Sequence, residues 1–181
     1  MTLPEPRPNN ERQDYLNEQM REAMQDDGIL DVYLDYGGIM RDNGDHLNQA
    51  NIATIKEALE YFDEISGIKI RYVDTEDKSE LSFHRLDATP GQGFELWDVD
   101  PRAEGLIHNK GGQDTNIYFE DSGEVAGLTQ HIIYHEIAHA FGAYELLDPG
   151  AATSEQTIMG YDFNGFFGYT GADQAYFESL Y

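Results

Sequence analysis

The run His135-Glu136-Ile137-Ala138-His139, followed by Gly142 and Glu145, constrains this chain more than any other stretch. On a helix of about 3.6 residues per turn, His135 and His139 project from one face, a single turn apart. Two imidazoles so placed can grip one Zn²⁺ and leave room for a third ligand and a water. Glu136, beside them, can take a proton from that water, which is the arrangement of metal-assisted hydrolysis. The approach, from Gly127 through Leu128, Thr129 and Gln130 to Tyr134, holds no proline and reads as the start of a buried helix. Gly142 is where that helix should stop, because glycine accepts the left-handed conformation that other residues resist. The chain can then turn sharply and bring position 145 back under the metal. His131 shares the helix face with His135, but it lies about 12 Å from His139 along the axis, at roughly 1.5 Å per residue. With His135 between them it is not a third ligand, and its expected duty is hydrogen bonding behind the site or packing. His46, His84 and His108 carry no metal spacing and are at best weak substitutes for a third ligand.

Further on, Thr157-Ile158-Met159-Gly160-Tyr161 is similar to the tight methionine turn that lies beneath the metal in the metzincin clan of zinc proteases. From Glu145 to Met159 is 14 residues, enough chain for the return. On these residues the chain resembles the serralysin-type catalytic domain, a bacterial subgroup of metzincins. The likeness extends weakly through Ala58-Leu59-Glu60-Tyr61-Phe62 to Ile70, through Glu80-Leu81-Ser82-Phe83 and Asn116-Ile117-Tyr118-Phe119, and to the ending from Ala172 to Tyr181. The resemblance implies an α+β, metzincin-like zincin fold. A twisted mixed sheet with two or three long helices would form an upper half, and an irregular lower half would end in a C-terminal helix. Residues 28–181 would form this single catalytic domain with its cleft at the active-site helix, and residues 1–27 an N-terminal arm and helix.

The implied activity is that of a zinc-dependent endopeptidase. His135 and His139 would bind Zn²⁺, Glu136 would be the general base, and Met159 the structural residue of the turn. Tyr161 would ligate zinc at rest and swing away to stabilise the oxyanion. One position departs from the family: its third histidine falls ten residues after the first, and here that residue is Glu145. Two His plus one Glu serves other zinc peptidases, although the added negative charge makes the metal a weaker Lewis acid. Three readings stand: a working His₂Glu site, a site completed by water or Tyr161, and a degenerate site without metal. The competing function is a catalytically weak or inactive acidic binding module on the same fold, taking peptide or Ca²⁺.

Composition narrows the partners. The chain has 181 residues, which suit one domain, and its 40% hydrophobic and 12% aromatic content favours a folded globule. Thirty-five acidic residues against 11 basic ones give a net charge of −24, which would repel nucleic acid and anionic membranes. Such a surface suits basic substrates, Ca²⁺, or solubility in salty surroundings. The absence of cysteine excludes disulfides and a thiolate zinc site, and no run of about 18 apolar residues could span a membrane. The N-terminus lacks the apolar core of a signal peptide. Serralysin-like proteases leave the cell through a C-terminal glycine-rich repeat region that binds Ca²⁺, and this chain stops where that region would begin. The resemblance implies a secreted bacterial protein, expected as a monomer acting on protein or peptide, either a catalytic domain cut from a longer protein or a short form.

In chain order, a helix is expected from Asn10 to about Asp26, a strand at 29–36, and a turn at Asp42-Asn43-Gly44-Asp45 that could also be a Ca²⁺ loop. A long helix opened by Asn48 or Asn51 should run to about Ile65, with Ile52, Ile55, Leu59 and Phe62 inward, and stop at Gly67. Strands follow at 68–73, 80–85 and 116–120. A strand near Gly93 to Trp97 is expected to form the sheet edge along which the family's extended substrate lies. The aromatic run Phe163, Phe166, Phe167 and Tyr169 either walls a substrate pocket or fills the lower half's core.

Overall fold

A computed structural model describes residues 27–36, 46–86, 105–109, 115–120, 127–144 and 152–181. The expected helix at 10–26, the Asp42–Asp45 turn, the strand near Gly93 to Trp97, and Glu145 lie outside the described residues.

Alternation of apolar and polar residues produces strand β1 (Ile29–Leu34), whose Leu30, Val32 and Leu34 are all buried. Helix α1 (Gln49–Ser66) follows. The two asparagines that were rival starts turn out to be two halves of one cap. Asn48 accepts from the Asn51 amide at 2.9 Å, and the Asn51 side chain accepts from the Asn48 amide at 3.2 Å. Gly67, at φ 73°, ends the helix in the left-handed conformation expected of it. The chain then enters β2 (Lys69–Val73), a short 3₁₀ turn at Glu76–Lys78, and β3 (Leu81–Leu86). Strands β4 (Gly105–Asn109) and β5 (Thr115–Glu120) complete a five-stranded sheet of order β2-β1-β3-β5-β4.

Pairing is parallel between β1 and β2, β1 and β3, and β3 and β5, while edge strand β4 runs antiparallel to β5. The connection from β1 to its parallel neighbour β2 passes through α1, as a parallel pair requires a crossover. In the β1–β3–β5 register, Val32 lies opposite Leu81, Leu34 opposite Phe83, and Phe83 opposite Ile117, so one sheet face is a continuous apolar surface. Helix α1 and the next helix, α2 (Leu128–Ala140), pack together, and α2 packs on β4 and β5. Phe62 of α1 stacks on Phe141 with ring centroids 4.0 Å apart and meets Phe177 and Tyr169 edge-on. Burying a side chain of this size contributes roughly 1.5–3 kcal/mol, so this aromatic knot ties the sheet layer to the C-terminal segment.

After α2 the chain has little regular structure over residues 152–170 beyond a bridge between Thr153 and Asp162, and then forms helix α3 (Gly171–Glu178). The architecture is mixed α/β, with four parallel strands, one antiparallel edge strand and three helices among the described residues. The antiparallel strand at Gly105–Asn109 was not among the strands expected from the sequence. No helix of the described residues is long and apolar enough to cross a membrane.

Candidate metal centre

Helix α2 carries the central motif. It starts after Gly127, at φ 85°, and every residue from His131 to Ala140 is buried. A helix sealed on all sides belongs in a core, and Ile132, Ile133, Ile137, Ala138 and Ala140 supply the apolar surface for that. Its end matches the sequence argument: the α-helix stops at Ala140, and Gly142 turns the chain at φ 107°.

His135 and His139 are each only 8% exposed, and their Nε2 atoms face each other at 3.1 Å. Each ring is held from behind by a main-chain carbonyl. His135 Nδ1 donates to Ile158 O at 3.0 Å, and His139 Nδ1 donates to Ala143 O at 2.8 Å. A carbonyl oxygen can only accept, so the proton of each neutral ring sits on Nδ1 and each Nε2 presents a lone pair. Two lone pairs this close repel unless something electropositive lies between them. A proton shared there would make one ring cationic; a metal ion would leave both rings neutral. Two nitrogens bound tetrahedrally to one zinc at 2.0–2.1 Å lie about 3.3 Å apart, near the spacing found here. The donor pair therefore fits a zinc ion, and the carbonyls behind the two rings are of the kind that orient metal-binding imidazoles.

Glu136, 7% exposed, follows His135 directly on α2. Tyr161 stands with its ring perpendicular to that of His135, centroids 5.4 Å apart, and is 57% exposed. Thr157–Gly160 forms a tight turn closed by the Gly160 amide donating to Thr157 O at 3.0 Å, with Met159 buried within it. The structure thus gathers His135, His139, Tyr161 and the methionine turn. Among the described residues no three His, Cys, Asp or Glu are grouped as a metal set, and Glu145, the expected third ligand, lies just beyond them.

His131 has the supporting place expected for it. It hydrogen-bonds the Gly160 backbone and meets Phe163 edge-on at 5.5 Å. Burial lowers its pKa, while the Gly160 bond and the charge of Asp173 act in the opposite direction. His84 is buried too, but on the opposite sheet face from Phe83, stacked on Tyr118 and beside Asp35 at 3.4 Å. It cannot complete a site on α2, which packs on the other face. The aromatic run divides. Tyr169 fills core against Phe62, Phe177 and Tyr134, and Phe166 packs on Tyr134, whereas Phe167 is exposed.

Three contributors were not found in the sequence. The carbonyls of Ile158 and Ala143 have no residue signature, since every residue offers one. Asp173 did carry a signal: Thr170-x-x-Asp173 is a capping box, and the structure forms it. The turn itself is sterically locked. A Cβ on Gly160 would lie 2.6 Å from both the C and O atoms of Thr153. Gly160→Ala is accordingly expected to destabilise the protein by about 3 kcal/mol, the upper end of usual overpacking costs, measured by denaturant unfolding. A change below about 0.5 kcal/mol would mean the turn tolerates the methyl group.

No protein-family model matches this sequence, and no curated protein matches it. Among solved structures, a chain in the one described as the GM1 bound form of the ECX AB5 holotoxin has a similar fold, with a TM-score of 0.51. The two chains are 11% identical, and the match covers 85% of this chain and 80% of that one. At that identity the likeness concerns the fold alone.

Proposed function

We propose that this chain is a zinc-dependent endopeptidase of the serralysin-like metzincin type. The observation that carries the reading is the pair of buried imidazoles whose Nε2 atoms meet at 3.1 Å while both Nδ1 atoms are committed to carbonyls. His135 and His139 would hold Zn²⁺, with Glu145 as third ligand. The ion would supply a Lewis acid that makes hydroxide available near neutral pH and polarises the peptide carbonyl. Glu136 accepts the proton of the attacking water on its carboxylate and passes it to the nitrogen of the departing amine. The Tyr161 hydroxyl donates a hydrogen bond to the developing oxyanion. Edge strand β4, packed against α2, offers main-chain groups to an extended peptide by strand addition. The net charge of −24 favours basic segments of protein substrates at the encounter stage.

Metal analysis and casein cleavage on the purified chain test this together. The expected result is one tightly held zinc, cleavage that stops on treatment with 1,10-phenanthroline, and recovery when zinc is restored. A chain that stays metal-free in excess zinc would overturn the reading. Bound zinc without turnover would favour the acidic binding module instead.

A further inference from the structure

Resting on the zinc reading above, we infer that the C-terminal helix α3 is the brace that aims both imidazoles, and that Asp173 is its principal positioning residue. Asp173 is 3% exposed, and among the described residues its carboxylate is occupied by hydroxyl and amide donors rather than by a lysine or arginine. One oxygen accepts from the Thr157 hydroxyl. The other accepts from the Ile158 amide at 2.9 Å and from the Thr170 amide at 2.8 Å. The Thr157 hydroxyl oxygen in turn accepts from the Met159 amide at 3.2 Å. The methionine turn is thereby pinned at consecutive amides, and the residue pinned most directly, Ile158, is the one whose carbonyl holds His135 Nδ1. The Ile158 amide and carbonyl belong to one residue of a turn closed by the Gly160 amide on Thr157 O, so fixing the amide limits where the carbonyl can lie.

The same helix and its extension reach the other imidazole. Tyr176 donates its hydroxyl to Gly142 O at 3.0 Å, and Tyr181 donates to Phe141 O at 3.0 Å. These carbonyls belong to the turn that presents Ala143 O to His139 Nδ1. Ala143 is also tied to the end of α2 by its amide, which donates to Ala138 O at 2.8 Å. Each ring is thus oriented by a carbonyl, and each carbonyl sits on a turn that α3 or its extension grips by a side chain. A cap needs only Thr170 and Asp173 bonded to each other. The bonds to Thr157 and Ile158 exceed what helix capping requires.

The test uses the full chain, with zinc as the probe and affinity read by competition against a chromogenic chelator. Asp173→Asn keeps the shape but replaces one accepting oxygen by an amide that cannot accept. It is expected to weaken zinc binding about 10-fold, the lower end of the range for residues behind a metal ligand, because it acts through Ile158. The Tyr176→Phe, Tyr181→Phe pair should weaken it as well. Phe177→Leu is the control. Phe177 lies on the same helix, is buried against Phe62 and Tyr169, and makes no hydrogen bond to either turn through its side chain. It should lower the metal-free thermal midpoint while leaving zinc affinity unchanged. Thr157→Val removes only the hydroxyl arm and keeps the test readable if Asp173→Asn does not fold; Thr157→Ser should restore wild-type affinity. Zinc affinity within about twofold of wild type in folded Asp173→Asn or Thr157→Val would overturn the inference. So would a loss in Phe177→Leu equal to that in Asp173→Asn, which would mean that helix stability alone is at work. Failure of the wild-type chain to bind zinc would instead remove the zinc reading itself, and it is seen before any variant is made.

Discussion

Glu136→Gln is expected to lower kcat for peptide cleavage by about 10²–10⁴-fold while zinc content and thermal midpoint stay close to wild type. Glutamine keeps the size and hydrogen-bonding length of the side chain but cannot take up a proton from water. Glu136 lies in the chain between two imidazoles whose Nε2 atoms would hold the metal under the proposed function, so the exchange would remove a base without removing a ligand. The kinetic pattern separates causes: a loss carried by kcat marks a group acting in the transition state, whereas a rise in KM alone would mark a contact to substrate. Activity unchanged in this variant would assign the proton transfer elsewhere and remove Glu136 from the mechanism.

The sheet and its helices were legible because their signals are local and periodic. Leu30, Val32 and Leu34 alternate, and a strand results; Ile52, Ile55, Leu59 and Phe62 recur at helical spacing, and all four are buried in α1. Asn48 and Gly67 mark the ends of that helix through chemistry that depends on a residue or two. The antiparallel strand β4 was not singled out, for the opposite reason. Gly105–Asn109 is short and lies near the end of a stretch rich in Gly, Pro and Asp. A five-residue strand held mainly by its pairing with β5 leaves little periodic trace of its own.

At the centre, the types and spacing of His135, Glu136 and His139 were readable because helical geometry fixes which side chains share a face. What aims the rings was not readable. Ile158 O and Ala143 O act as main-chain atoms brought in by tertiary folding from 23 and 4 residues away, and side-chain identity says nothing about either. Asp173 stood in a recognisable cap, but its second task depends on the Thr157–Gly160 turn arriving beside it. A contact made in both directions across the lower half has no local pattern to announce it.

Exchange of Glu145 has the other large expected effect, because under the proposed function it tests a direct ligand rather than its support. Glu145→Ala should weaken zinc binding by more than the roughly 10–100-fold typical of groups behind the ligands, and activity should fall with metal content. Glu145→His should hold or raise zinc affinity, since a third neutral imidazole suits the ion and leaves it a stronger Lewis acid than a carboxylate does. Ala143, two residues earlier, accepts from His139 Nδ1 at 2.8 Å, so the chain runs behind that ring just before this position. Tyr161 is the rival. Its ring lies against His135, and if it completes the coordination then Tyr161→Phe, not Glu145→Ala, should shed the metal. Under the Glu145 assignment Tyr161→Phe keeps its zinc and loses rate alone. Metal content of these two variants, measured at the same free zinc concentration, therefore decides which oxygen joins the two imidazoles.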